Sequence, residues 1–150
     1  MFQRLLVPVD GSDASRHALT TAVGMARESG GKLRLVHVLE DATYLAGYDA
    51  TGAAAGELYR ATRDNATRIL EEAVQQVKAA GLDCEAELID RMGERMPHLV
   101  AEEARQWSAD LIVVGTHGRR GLNRLMLGSG ADQIIRLAPV PVLVARQPGA

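Results

Sequence analysis

The sequence predicts an α/β protein with a doubly wound, five-stranded parallel sheet and helices on both faces. Short apolar runs alternate along the chain with longer segments in which apolar residues recur at helical spacing. Serine and glycine residues stand at several of the boundaries between these segments. Strands joined through helices must be parallel, and right-handed crossovers place the helices on both faces of the sheet.

The first strand and helix are delimited by local signals. The run Arg4–Val9 predicts a strand, and Ser12 follows it as the expected N-cap of a helix. Apolar residues then recur at helical spacing until Gly30-Gly31, which we expect to end the helix. Lys32–Leu39 alternates apolar and polar residues and then becomes apolar, which predicts a second strand with one partly covered face.

An irregular stretch interrupts the alternation after the second strand. Glu40–Gly56 contains glycines and alanines without a sustained period, and a loop of this length is usually functional or mobile. Helical spacing returns from about Leu58 to Ala80, and Gly81 is the expected terminating residue. Cys84–Ile89 is the predicted third strand.

The second half repeats the alternation twice. Met96 to Trp107 predicts a helix, and the all-apolar Leu111–Val114 predicts a central strand buried on both faces. Ser129 to Leu137 is the predicted last helix. Val140–Ala145 is the predicted fifth strand, and the proline near its start suits an edge position.

The bulk properties exclude several classes of function. A chain of 150 residues predicts one domain, residues 1–150. The net charge of -2 and pI near 6.1 argue against a nucleic-acid partner. Cys84 is the only cysteine, so it forms no internal disulfide and has no metal-ligand companions. The start of the chain has no signal-peptide pattern, and no apolar run approaches the ~20 residues of a membrane span. We therefore expect a cytoplasmic protein without membrane contact.

Two segments should meet at the carboxyl edge of the sheet, where ligands of such folds bind. Pro8-Val9-Asp10 leaves the first strand, and Gly115-Thr116-His117-Gly118 leaves the fourth. Nine residues separate Gly118 from Gly128-Ser129, which opens the last helix. Glycines allow backbone N–H groups to approach an anion, and a helix N-terminus adds unpaired donors. Neither GxxxxGK[ST] nor GxGxxG occurs, so the residues alone predict an anion or nucleotide site.

Some of these residues have structural explanations that remain open. Ser129 is followed three residues later by Asp132, which suggests a capping box that needs no ligand. The Asp132 carboxylate would also oppose a phosphate near this helix start. Asp10 could be a turn residue before Gly11.

The charged residues of the glycine loop also have both a functional and a structural explanation, and so do histidines elsewhere in the chain. His117 is either a general base or an exposed loop residue, and the cluster Arg119–Arg124 is either a phosphate clamp or a solvated loop face. His37 and His98 are expected to be packing or surface residues, and Trp107 to belong to the core or its edge.

The combined pattern resembles the universal stress protein family, and within it the ATP-binding branch. The resemblance rests on G-x-x-G, nine residues, G-[ST], on the early V-P-V-D-G-S and on the final P-V-L-V, and it extends over essentially all 150 residues. It implies an adenine nucleotide alpha hydrolase-like fold with strand order 3-2-1-4-5, and usually a dimer.

The resemblance also implies a nucleotide site. Asp10 and the backbone near Val38 would hold the adenine or ribose, and Val114 and Gly115 would line the ribose. The remaining site residues would cradle the phosphates or shape the pocket: Pro8, Val9, His117, Gly118, Arg119, Gly128, Ser129 and Gly130. Gly130 departs from many relatives, which carry a side chain there. The expected ligand is ATP, or ADP or AMP, with Mg²⁺ or Mn²⁺.

Three functions follow as expectations. The first is an ATP-binding regulatory protein of the stress response. The second is a slow ATPase or a self-phosphorylating enzyme with Ser129 or Thr116 as acceptor, although the sequence offers no evident base and no acidic pair for Mg²⁺. The third is a nucleotide-free dimeric scaffold. A homodimer would form through the apolar last strand, which comprises Val140, Pro141, Val142, Leu143 and Val144.

Overall fold

The computed structural model describes residues 1–39, 53–91, 93–116 and 127–148. Strands and helices alternate along them in the order β1 (Arg4–Pro8), α1 (Asp13–Ser29), β2 (Lys32–Val38), α2 (Ala53–Ala79), β3 (Cys84–Ile89), α3 (Met96–Gln106), β4 (Leu111–Gly115), α4 (Ser129–Leu137) and β5 (Val142–Ala145).

The five strands form one parallel sheet in the order β3-β2-β1-β4-β5. Leu5 of β1 is in register with Leu33 of β2 on one side and with Leu111 of β4 on the other. The predicted topology is therefore confirmed, including the strand order that the resemblance implied. Because the chain leaves β1 and β4 toward opposite edges, a crevice opens between their carboxyl ends.

Successive residues of the central strands pack on opposite faces of the sheet. Leu5 and Val7 of β1 contribute to a core shared with α1 and α2, whereas Leu6 contributes to a second core shared with α3 and α4. Residues Leu111–Val114 of β4 are all buried, as expected for a strand covered on both faces. This alternation places two helices on each face.

Local signals set the ends of α1. The Ser12 hydroxyl caps the helix by accepting a hydrogen bond from the Ser15 N–H at 3.2 Å. Gly30 ends the helix with a φ of 70°, a left-handed conformation that glycine adopts at low cost. Both predicted boundaries are confirmed.

Two predicted boundaries differ from the structure by more than one residue. Helix α2 begins at Ala53 and includes Gly56, so it starts before the predicted Leu58. Alanine is the strongest helix former, and a run of alanines supports a helix without showing an amphipathic period. Strand β5 begins at Val142, because Pro141 lacks the N–H that a ladder needs. Residues 40–52 of the predicted loop lie outside the described residues.

Candidate functional site

A cleft of about 620 Å³ lies at the carboxyl ends of β1, β2 and β4. Its volume falls in the range of small-molecule sites, roughly 300–1,000 Å³. The cleft brings together most of the predicted site residues, namely Pro8, Val9, Asp10, Val38, Val114, Gly115, Gly128, Ser129 and Gly130. His117, Gly118 and Arg119 lie outside the described residues.

The residues that follow β1 form a hydrogen-bonded turn. The Asp10 carboxylate accepts from the Ser12 N–H at 2.9 Å and from the Ser12 hydroxyl, while the Asp10 N–H donates to the Ser15 hydroxyl at 3.1 Å. Gly11 has a φ of 81°, which few other residues adopt without strain. Asp10 is therefore a turn residue that also lines the cleft, so its structural role is compatible with contact to a ligand.

The start of α4 supplies the donors of the cleft. Gly128 is the N-cap, and its N–H donates to the Thr116 carbonyl at 2.6 Å, which ties the helix start to the end of β4. The first intrahelical bond runs from the Asp132 N–H to the Gly128 carbonyl at 3.0 Å. The N–H groups of Ser129, Gly130 and Ala131 precede it, and within the described parts of the chain no acceptor binds them. All three residues line the cleft, so the helix start brings three backbone donors to it.

The capping-box explanation for Ser129 is wrong. Ser129 is the first helical residue, and the N-cap Gly128 makes no side-chain capping bond. Asp132 does not line the cleft; its carboxylate pairs with Arg136 one turn later at 3.1 Å. The expected repulsion between Asp132 and an anion is reduced because this arginine balances the charge.

Two glycines of the cleft let neighbouring elements come close. A Cβ on Gly115 would lie 2.7 Å from the carbonyl oxygen of Ala14, so this position allows α1 to pack against β4. A Cβ on Gly130 would lie 3.0 Å from the terminal methyl of Met96 in α3. The missing side chains therefore serve packing as well as access to backbone N–H groups.

The parts of the cleft formed by α2 and by the residue before α3 contain residues that were not predicted from the sequence. Thr62, Asn65 and Ala66 of α2 line the cleft, as does Arg95, the exposed residue before α3. In the part of the chain that the structure describes, the Arg95 side chain has no carboxylate partner, whereas nearby Arg91 pairs with two glutamates. No sequence motif marks these positions, because their approach to the cleft depends on how α2 and α3 pack.

His37 is also part of this site and not only a packing residue. It is 8% exposed, lines the cleft, and places Nδ1 2.6 Å from the Val9 carbonyl oxygen. His98 is exposed and Trp107 is buried, as expected.

Two of the resolved pKa shifts belong to residues at the amino end of β3, away from the cleft. Burial raises the pKa of the Cys84 thiol, and a hydrogen bond from Arg34 lowers the pKa of the Glu85 carboxyl. Across residues 1–39, 53–91, 93–116 and 127–148, no group of three or more His, Cys, Asp or Glu side chains could hold a metal ion. No helix in these ranges has the length and hydropathy needed to cross a membrane.

The model of the universal stress protein family matches residues 1–146. Universal stress protein YxiE of Bacillus subtilis is 35% identical over 152 residues, covering 97% of this chain and 100% of that protein. A universal stress protein of Methanocaldococcus jannaschii is 32% identical over 149 residues, covering 99% and 84%. Both relatives are similar along nearly the whole of this chain.

Solved structures of universal stress proteins also resemble this chain in fold. Universal stress protein UspA from Lactobacillus plantarum has a TM-score of 0.78 at 27% identity, covering 97% of this chain and 98% of that one. A universal stress protein from Archaeoglobus fulgidus in complex with dAMP has a TM-score of 0.69 at 26% identity, covering 95% and 97%. A universal stress protein in complex with cAMP has a TM-score of 0.65 at 27% identity, covering 95% of each chain. The fold is adenine nucleotide alpha hydrolase-like, and the chain belongs to the universal stress protein family.

Proposed function

We propose that this protein is a regulatory module of the stress response that binds an adenine nucleotide, with ATP as the main ligand and ADP or AMP as alternatives. The observation that carries the proposal is the cleft at the carboxyl edge, with three backbone N–H groups at the start of α4. Relatives solved with dAMP and with cAMP support an adenine nucleotide as the ligand class.

The phosphates would bind at the start of α4. The N–H groups of Ser129, Gly130 and Ala131 are donors at the positive end of a helix dipole, which favours an anion. The Gly128 N–H is already bonded to Thr116, so Gly128 would shape the turn without donating to a phosphate. Arg95 on the facing wall would add a positive charge.

Further phosphate contacts would come from the glycine loop, in which Gly118 ends the G-x-x-G pattern and His117 and Arg119 flank this glycine. These three residues stay predictions from the sequence.

The base and ribose would bind between the ends of β1, β2 and β4. Asp10 and the backbone at Val38 would hold polar groups of the adenosine, while Val114 and Gly115 would line the ribose. Pro8 and Val9 would form the floor. This arrangement would leave the phosphates pointing toward α4.

A metal ion would arrive with the triphosphate. Asp10 is the only acidic side chain among the described residues that line the cleft, and its carboxylate is engaged by Ser12. Mg²⁺ commonly binds through phosphate oxygens and water with only one or two protein carboxylates. Phosphate oxygens would therefore hold Mg²⁺ or Mn²⁺ here, with little help from protein side chains.

The homodimer would form through the open edge of β5. The Ile112 N–H bonds to the Pro141 carbonyl, and residues that face the same side of a strand alternate. Leu143 therefore faces β4, whereas the N–H groups of Val142 and Val144 point away from the sheet. A second copy could pair with this edge. The cytoplasmic location stays a prediction from the sequence.

A charge at Ser129 tests the proposed phosphate site. Ser129→Asp places an acid in the first turn of α4, where it should raise the stability of the free protein by about 0.3–1 kcal/mol. The same charge should repel a phosphate and weaken ATP binding at least about tenfold in calorimetric titrations. Ser129→Asn has nearly the same shape without the charge, so its ATP affinity should stay within about threefold of the wild type.

The outcomes are distinct. If Ser129→Asp binds ATP as tightly as Ser129→Asn does, the phosphate lies elsewhere. If the wild type binds neither ATP nor AMP at millimolar concentration, the proposed function is wrong. In the wild type, ATP at 100 times its dissociation constant should stabilise the fold by about 2.7 kcal/mol.

A further inference from the structure

His37 presents an unused nitrogen to the cleft. Its Nδ1 lies 2.6 Å from the Val9 carbonyl oxygen. A carbonyl oxygen only accepts hydrogen bonds, so Nδ1 carries the proton and donates. In the neutral imidazole, Nε2 is then an acceptor with a free lone pair.

No group in the described parts of the chain bonds to Nε2. The side chain is 8% exposed and lines the cleft, and Nε2 is not among the fully enclosed polar atoms that lack a partner. Nε2 is therefore not fully enclosed, and it belongs to a residue that lines the cleft. The bond to Val9, which follows β1 directly, fixes the orientation of the imidazole at the junction of β1 and β2.

Asn65, on another element of the cleft, offers a hydrogen-bond donor. Asn65 of α2 lines it, and the Asn65 side-chain oxygen accepts a hydrogen bond from Arg68. The amide nitrogen of Asn65 is thus left with its two hydrogens as donors. An acceptor on His37 and a donor on Asn65 therefore both belong to residues that line the cleft.

Adenine carries the complementary pattern. Its 6-amino group donates and its neighbouring ring nitrogen accepts, whereas guanine and hypoxanthine place an accepting oxygen at position 6. We propose that His37 Nε2 accepts a hydrogen bond from the 6-amino group and so selects adenine over 6-oxopurines. The inference rests on the proposed function, because it assigns base specificity to the same cleft.

The preference for adenine over 6-oxopurines would come from hydrogen-bonding groups that a 6-oxopurine leaves without a partner. A 6-oxopurine would place its oxygen against the Nε2 lone pair, and both acceptors would lose their bonds to water without gaining a partner. Sites built around a hydrogen bond reject analogues that cannot form it more strongly than apolar pockets reject analogues of a different size. AMP should therefore bind at least about tenfold more tightly than IMP.

The test measures dissociation constants of AMP, IMP and purine riboside 5′-monophosphate by calorimetry at pH 8, with the full chain. Purine riboside 5′-monophosphate lacks only the 6-amino group of AMP, so the wild type needs no mutation for this comparison. We expect it to bind about five- to tenfold more weakly than AMP. Equal binding of the two nucleotides by the wild type would overturn the inference.

Two variants of His37 test the roles of the two imidazole nitrogens separately. His37→Asn can still donate to the Val9 carbonyl but has no atom at the Nε2 position, so it should bind AMP and purine riboside 5′-monophosphate equally. His37→Gln places an amide near Nε2 that can turn to accept or donate, so the ratio of IMP to AMP dissociation constants should fall toward one. A His37→Asn protein that keeps the wild-type preference for AMP would contradict the assignment.

Failure of this inference differs from failure of the proposed function. A wild type that binds AMP, IMP and purine riboside 5′-monophosphate equally keeps its nucleotide site and loses only the role of His37. A wild type that binds none of the three loses both.

Discussion

At the scale of single residues, missing side chains decide how closely the backbone elements of this protein approach one another. Gly115 lies where β4 meets α1, and an added Cβ would come within 2.7 Å of the Ala14 carbonyl oxygen. The two nearest atoms form the backbone carbonyl of Ala14, so they cannot move aside unless α1 shifts. The glycine that suggested a ligand loop in the sequence is thus also required by packing.

Two glycine substitutions test this interpretation. Gly115→Ala should lower the free energy of unfolding by about 1–3 kcal/mol, the usual cost of overpacking. Gly24→Ala is the matched control, because Gly24 lies within α1 and a Cβ there meets nothing within 4 Å. This control should gain about 0.5–1 kcal/mol. Urea unfolding measures both values, and a neutral Gly115→Ala would show that α1 does not press on β4.

At the scale of elements, a charged network joins β2, β3 and α3. Arg34 of β2 pairs with Glu85 of β3 and with the buried Glu103 of α3. The guanidinium of Arg34 also lies 5.2 Å from the ring centroid of Trp107, the residue after α3. The network thus links the edge strand β3 to β2, and β2 to α3.

The pH dependence of stability tests the more exposed ion pair of this network, between Arg34 and Glu85. The hydrogen bond from Arg34 lowers the pKa of Glu85 in the folded protein. The stabilisation is therefore present above the unfolded pKa of about 4.3 and is lost as pH falls through the lower folded value. Glu85 is half exposed, so Glu85→Gln should cost only about 0.2–1 kcal/mol at pH 7.

Urea unfolding of wild type and Glu85→Gln from pH 7 to pH 3 checks this dependence. The difference between the two proteins should shrink as the pH falls. A difference that stays constant over this range would mean that the Glu85 charge contributes nothing.

The elements also show how far sequence reasoning reaches. Cys84–Ile89 and Ser129–Leu137 were predicted with their observed bounds, because their start and stop signals are local. The start of α2 at Ala53 was missed, since an alanine-rich turn gives no period. Arg95 and Asn65 were missed for a different reason: only the packing of whole helices brings these residues to the cleft.

At the scale of the whole molecule, the order of strands creates both the cleft and the free edge. The cleft lies where the connections from β1 and β4 diverge, so the topology brings together the two separate segments from which an anion site was predicted. His37 shows the remaining limit of the sequence. Its place in an alternating strand indicates which face it occupies but not that the ring borders a cleft.

The free edge of β5 allows a test of the proposed homodimer. Val142→Pro removes an N–H that points away from the sheet and keeps the ladder to β4. We expect it to weaken dimerisation at least about tenfold in sedimentation equilibrium while the circular dichroism spectrum stays unchanged. Leu143→Pro removes an N–H that faces β4, so it should destabilise the fold itself. A Val142→Pro protein that dimerises like the wild type would place the interface elsewhere.

The central claim is that the N-terminal amides of α4 bind the phosphate of an adenine nucleotide. The most direct measurement follows the backbone amide resonances of Ser129, Gly130 and Ala131 in ¹⁵N-labelled protein during titration with AMP, with adenosine as the control. We predict that AMP shifts these three resonances saturably at submillimolar concentration and that adenosine leaves them nearly unchanged. Resonances that stay in place up to millimolar AMP and ATP would contradict the account.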